Sequence, residues 1–116
     1  MVLRIAAHGY ARRDAVPFGE AAVVREGKDV TIIGVGIMMQ KAQVAAKQLS
    51  SKGIDAEVID PRTLVPLDKD TLIKSVAKTG RVIIAHEAHL RSGPGAEISA
   101  MLAEEAIEYL DGPIIR

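Results

Sequence analysis

The residues best equipped for chemistry fall in a few short stretches of the chain. His86-Glu87-Ala88-His89 brings two imidazoles and a carboxylate together, the groups used for acid/base work and metal ligation. The spacing lacks the i, i+4 geometry of a helical H-E-x-x-H zinc site. The ordinary reading has His86 and Glu87 hydrogen-bonding neighbouring loops or a second subunit, with His89 in water. Gly34-Val35-Gly36 follows an apolar run and precedes an amphipathic one, the context of a dinucleotide turn. The third glycine position is Met39, so a tight strand-to-helix turn explains the pair as well as a phosphate does. Asp60-Pro61-Arg62 followed by Pro66-Leu67-Asp68 sets a guanidinium near a helix start. Such an Arg can hold an anion, or can tie adjacent loops together with Asp60 as its partner. Ser92 has no closer base than His89 and no G-x-S-x-G elbow around it, so serine hydrolysis is not supported. Met38, Met39 and Met101 suit either an adaptable interface or core filling.

These stretches need a scaffold, and the rest of the chain supplies one. From residue 34 onward, short β-branched runs alternate with longer amphipathic segments, the pattern of parallel β-α-β units. Strands are expected at residues 21–25, 30–35, 55–60, 81–85 and 113–116. The turn Glu26-Gly27-Lys28-Asp29 allows a hairpin between the first two, which makes the first strand antiparallel. The second strand, VTIIGV, is almost wholly apolar, as a strand covered on both faces must be.

Three helices connect the strands. Over residues 37–52, Met38, Ala42, Ala45, Ala46 and Leu49 share one face, and Gly53 ends the helix. Asp68 is placed to cap the second helix, with Leu67 and Leu72 at staple positions and Leu72, Ile73, Val76 and Ala77 as its inner face. Gly93-Pro94-Gly95 opens the third, whose apolar residues Ile98, Leu102, Ala106 and Leu110 recur every four positions. In open α/β sheets ligands gather beyond the carboxyl ends of the strands, here residues 34–37, 61–68 and 86–95.

Composition narrows the function classes. The 116 residues fit one domain, and 15 Lys+Arg against 15 Asp+Glu leave no basic excess for nucleic acid or anionic membrane. The aromatics are only Tyr10, Phe18 and Tyr109, too few for base stacking. No cysteine is present, which removes disulfides and thiolate chemistry and fits a reducing compartment. The longest apolar stretch, residues 30–39, is half of what a bilayer span requires, and no secretory signal is apparent. Residues 1–15 show no sustained period and read as a lead-in, with the domain occupying 16–116.

The succession VPFGEAAVVREGKDVTIIGVG, AEVIDPRTLVPLDKDTL, SVAKTGRVIIAHEA, SGPGAEISA and YLDGPIIR resembles the beta subunit of thiamine diphosphate-dependent 2-oxo acid dehydrogenases. More narrowly, it is similar to that subunit's transketolase C-terminal-like domain. The most specific part is Asp60-Pro61-Arg62-Thr63-Leu64 with Pro66-Leu67-Asp68.

The resemblance implies a three-layer α/β/α fold with a five-stranded mixed sheet, its first strand antiparallel to the others. It implies thiamine diphosphate and magnesium in the parent complex, held with the catalytic histidine by segments that match no part of this sequence. No catalytic, cofactor-binding or metal residue is therefore carried over. It also implies an assembly role, with an alpha subunit, a second beta subunit and a lipoyl-bearing acyltransferase as partners in the bacterial cytoplasm or the mitochondrial matrix. Glu87, Arg91, Asp111 and Arg116 are the candidate contacts. The competing readings are a free-standing nucleotide-binding domain using Gly34 and Gly36, and a transketolase or pyruvate-ferredoxin oxidoreductase module of the same architecture.

Overall fold

The computed structural model describes residues 17–116; the expected lead-in lies outside them. The elements are β1 (Ala22–Arg25), β2 (Val30–Gly34), α1 (Met38–Ser51), β3 (Ala56–Asp60), α2 (Lys69–Thr79), β4 (Val82–Ala85), α3 (Pro94–Glu105) and a 3-10 turn (Ile107–Tyr109). The sheet runs β1-β3-β2-β4. β2 pairs in parallel with β3 and with β4, so both of its edges are occupied. β1 lies antiparallel, but against β3, with a bulge between Val23 and Arg25.

The first turn therefore closes no hairpin. Because β2 spends both edges on parallel neighbours, the chain leaving β1 crosses the amino end of β3 instead. The Lys28 and Asp29 amides donate to the Asp55 carbonyl at 3.1 and 2.8 Å, and the Asp55 amide donates to Asp29 Oδ2 at 2.7 Å. Arg25 adds an ion pair to Asp55 at 3.1 Å and a hydrogen bond to the Ala56 carbonyl.

The last segment reaches the opposite side of the sheet. Ile115 forms a single parallel bridge with Ile83, its amide donating to the Val82 carbonyl at 3.2 Å while its own carbonyl accepts from Ile84 at 2.8 Å. The fifth position of the expected sheet is thus filled by one bridge rather than a full strand.

All five residues of β2 are buried, which requires a helix layer on each side. Val30 and Ile32 pack with Ala56, Val58, Ala42 and Ala46 beneath α1. The α1 contact is made by alanines, so the helix lies close to the strands, and Met39 rather than Met38 turns inward. On the other side Ile33, Ile59, Val82 and Ile84 pack against Leu72 and Val76 of α2 and Ile98, Met101 and Leu102 of α3. The architecture is three-layer α/β/α, with both inward methionines serving as core.

One part of that second core is polar. Thr31 Oγ1 lies 2.7 Å from both Ser75 Oγ and Thr79 Oγ1, and all three residues are buried. α2 consequently turns Ser75 and Thr79 inward, and Ala77, expected on the inner face, is exposed. Next to them Glu57 is only 2% exposed and accepts from Lys78 Nζ and, at 3.2 Å, from the Gly27 amide. Burial pushes its carboxyl pKa up, but hydrogen bonds from Lys78, Ser75 and Gly27 outweigh it and hold the group below its ordinary 4.5.

A carboxylate with a depressed folded pKa contributes stability above its unfolded pKa and loses it as pH falls through the folded value. Glu57→Gln should therefore lower stability at neutral pH by roughly 1–3 kcal/mol, towards the low end because Lys78 is half exposed. The same variant should flatten the loss of stability below pH 4.5 in urea titrations. Parallel curves for wild type and variant through that range would show that Glu57 does not carry the linkage.

Candidate functional site

Three loops leave the carboxyl ends of the parallel strands, and the strand order sets them side by side. In the β2–α1 turn, a Cβ on Gly34 would sit 2.6 Å from Met39 Cα, so the glycine permits the close approach of α1. Gly36 takes φ +64. The amides of Met38, Met39 and Gln40 donate back to Val35, Gly36 and Ile37 at 3.1–3.3 Å. They are not presented as a free phosphate cradle, and both glycines have a structural reason.

The loop over residues 61–67 is braced at each step. Asp60 Oδ1 accepts the Arg62 backbone amide at 2.9 Å, and the Thr63 amide donates to the Pro61 carbonyl at 2.7 Å. Arg62 at the centre of this turn has φ +62, a conformation unfavourable for a side chain with a Cβ. The Thr63 hydroxyl donates to the Pro66 carbonyl at 2.5 Å and accepts from the Gly19 amide at 3.3 Å, across a cis Val65–Pro66 bond.

Asp68 closes the loop and joins three elements. Its Oδ1 accepts the Thr71 amide at 3.2 Å as the α2 cap, while Oδ2 accepts the Thr71 hydroxyl at 2.6 Å and the Ala21 amide at 2.9 Å. Burial raises its pKa, but these hydrogen bonds and nearby Lys74 bring it below the ordinary 3.8. A carboxylate already occupying the amino end of α2 opposes an anion there. The Asp60–Arg62 link is made through the backbone amide; the Arg62 guanidinium has no partner among the described residues.

The third loop, residues 86–93, begins with His86, whose two ring nitrogens are buried without a hydrogen-bond partner. Its ring lies against Gly95 in the first turn of α3, where a Cβ would come 2.2 Å from Nε2. His89 is exposed, and Ser92 adopts φ +63. Among the described residues, no three His, Asp or Glu side chains are grouped to hold a metal. The described residues therefore do not offer a donor set that fits magnesium.

Of the interface candidates, Glu87 and Arg91 are both exposed on this loop. Arg116 joins them, donating from Nη1 to the Leu90 carbonyl at 2.7 Å. Asp111 stands apart at the amino end of β4, where its amide donates to the Gly80 carbonyl at 2.7 Å. The apolar exposure of the same edge was not read from sequence: Val65 is 91% exposed, beside exposed Leu64. Their only sequence signal is placement in a loop bounded by two prolines.

A three-layer α/β/α domain with an antiparallel first strand has counterparts among known proteins. The transketolase C-terminal domain family matches residues 19–116, and the chain belongs to it. It is 48% identical over 101 residues to the mitochondrial pyruvate dehydrogenase E1 component subunit beta of Dictyostelium discoideum, covering 87% of this chain and 28% of that one. It is 47% identical over 100 residues to the acetoin:2,6-dichlorophenolindophenol oxidoreductase subunit beta of Cupriavidus necator, covering 86% and 30%. A solved split gene transketolase, an inactive beta4 tetramer, superimposes with a TM-score of 0.80 at 38% identity over 89% of this chain and 33% of its own. The chain thus spans about a third of the length of these relatives. Among the described residues, no helix is long and apolar enough to cross a membrane.

Two substitutions test the bracing. Asp68→Ala should cost about 1–2 kcal/mol in chemical denaturation, since it removes the cap and the tie to Ala21 together; a loss below a few tenths would separate Asp68 from the fold. Gly95→Ala should cost about 1–3 kcal/mol through its clash with the His86 ring. The double variant with His86→Ala should recover part of that loss, and a purely additive double would place the clash elsewhere.

Proposed function

We propose that this chain is the C-terminal assembly and partner-binding domain of a 2-oxo acid dehydrogenase beta subunit, without catalysis of its own. The parent reaction is oxidative decarboxylation of a 2-oxo acid with acyl transfer to lipoyl, run on thiamine diphosphate and magnesium held by other segments. The observation that carries this reading is the character of the strand-exit edge. Among the described residues, its loops hold occupied amides and internal braces in place of grouped metal-binding residues, and they display aliphatic side chains and the Arg62 guanidinium, which has no partner there.

Such a surface suits a protein partner, because arginine beside aliphatic side chains is the composition of interface centres. Relatives that are beta subunits, and a related transketolase built from four beta chains, support assembly with an alpha subunit and with further copies. Glu87, Arg91 and Arg116 are then contacts on one edge, Asp111 a contact on another, and the lipoyl-bearing acyltransferase a further partner. The proposed setting is the mitochondrial matrix or the bacterial cytoplasm.

A thermal-shift panel on the purified chain tests this against the nucleotide-binding alternative. Thiamine diphosphate with Mg²⁺, NAD, FMN and ATP should each leave the midpoint unchanged. A ligand at about 100 times its Kd would contribute about 2.7 kcal/mol and move the midpoint by roughly 10 °C. A shift of that size with any of the four would overturn the reading of a domain without a ligand site.

A further inference from the structure

Asp111 is the one aspartate in the chain that is followed by glycine, and the sequence contains no asparagine. Such a pair is chemically exposed, because glycine has no Cβ to hinder attack by its own amide nitrogen on the carboxyl group that precedes it.

The fold ties up the other described aspartates. Asp29 Oδ2 accepts the Asp55 amide at 2.7 Å, Asp55 Oδ1 pairs with Arg25 at 3.1 Å, and Asp60 Oδ1 accepts the Arg62 amide at 2.9 Å. Asp68 caps α2, and the amide following Asp70 is that of Thr71, which already donates to Asp68. Asp111 differs on each count. It is exposed, and its carboxylate has no partner among the described residues. The Gly112 amide makes no backbone hydrogen bond there either. A Cβ on Gly112 would meet nothing within 4 Å, so the space beside its backbone can take a ring.

We propose that Asp111 is a site of spontaneous isoaspartate formation. The Gly112 nitrogen attacks Asp111 Cγ: the N–Cγ bond forms, the Cγ–OH bond breaks, and the amide proton leaves with that hydroxyl as water. The product is a cyclic succinimide, to which one water then adds back. Opening at Cγ restores aspartate. Opening at the backbone carbonyl carbon leaves Gly112 joined through the side chain, with the former backbone carbonyl as the new carboxylate. Mass and charge are unchanged, and no oxidant or cofactor is consumed. The reaction needs no partner, and an occupant seated on Asp111 would shield it.

The rearranged backbone is longer by a methylene carbon, inserted between two fixed points. On one side the Asp111 amide donates to the Gly80 carbonyl at 2.7 Å. On the other, Ile115 is bridged to β4 through Val82 and Ile84. Gly112, Pro113 and Ile114 lie between them, and the proline ring fixes its own φ. The added atom therefore pushes Ile115 off the sheet edge, and Arg116 gives up the Leu90 carbonyl that it holds at 2.7 Å. A change at Asp111 thus reaches the 86–93 loop.

Incubation of the full chain in neutral buffer, followed by tryptic digestion, tests this, because the peptide 92–116 holds Asp111 as its single aspartate. Wild type should accumulate there, before any other aspartyl peptide, a second chromatographic peak of the same mass that accepts methyl groups from an isoaspartyl methyltransferase. Gly112→Ala should slow its appearance by roughly tenfold, because a Cβ crowds the attacking nitrogen, and open space around Gly112 lets this variant fold. Asp111→Glu should abolish the peak. A folded chain that stays unmodified while the synthetic peptide 92–116 converts in the same buffer would overturn the site, as would equal rates in wild type and Gly112→Ala. In the isoaspartyl fraction the Ile84 and Ile115 amides should exchange hydrogen faster; unchanged exchange would overturn the release of the last segment.

Discussion

The complete burial of β2 is the constraint from which the rest of this structure follows. Each backbone edge of the strand is spent on a parallel partner, and each face carries side chains that water cannot solvate. Parallel neighbours demand crossover helices, and two buried faces demand a helix layer on both sides. The antiparallel strand β1 is then excluded from β2 and pairs at the outer edge of β3. The exit loops of β3, β2 and β4 are brought to one end of the sheet by the same requirement.

What that end can do depends on how its backbone groups are spent. In the glycine turn the first amides of α1 are satisfied within the turn itself, and at α2 the Asp68 carboxylate occupies the helix start. Both places where a small anion would ordinarily bind are used to hold the fold. The positive φ of Arg62 is a cost of roughly 1–3 kcal/mol carried by the surrounding hydrogen bonds. Its effect is to fix a loop whose side chains point outward, which fits recognition of a macromolecular surface better than enclosure of a metabolite.

The buried polar layer between β2, β3 and α2 adds specificity to that arrangement. Thr31, Ser75 and Thr79 satisfy one another, and Glu57 is paired with Lys78 and the Gly27 amide. A one-residue slip of α2 or β3 would leave a carboxylate and three hydroxyls buried without partners, each costing more than the bond it makes. The layer therefore fixes register where the aliphatic core alone would tolerate sliding.

Local pattern by itself determined the three helices, the four strands and the Asp68 cap of α2, because each depends on residues within a turn or two of one another. The family, too, was legible in contiguous motifs such as Asp60-Pro61-Arg62-Thr63-Leu64. Only tertiary structure decided that β1 pairs with β3 rather than β2, since nothing in the turn reveals that both β2 edges are already taken. It also decided that Ser75 and Thr79 face inward: an inner face is chosen by what lies opposite, and Thr31 is more than forty residues away. The exposure of Leu64 and Val65 belongs to the same class. Apolar composition predicts burial, and a loop braced by Gly19, Thr63 and Pro66 overrides it by fixing the backbone so that those side chains have no core within reach.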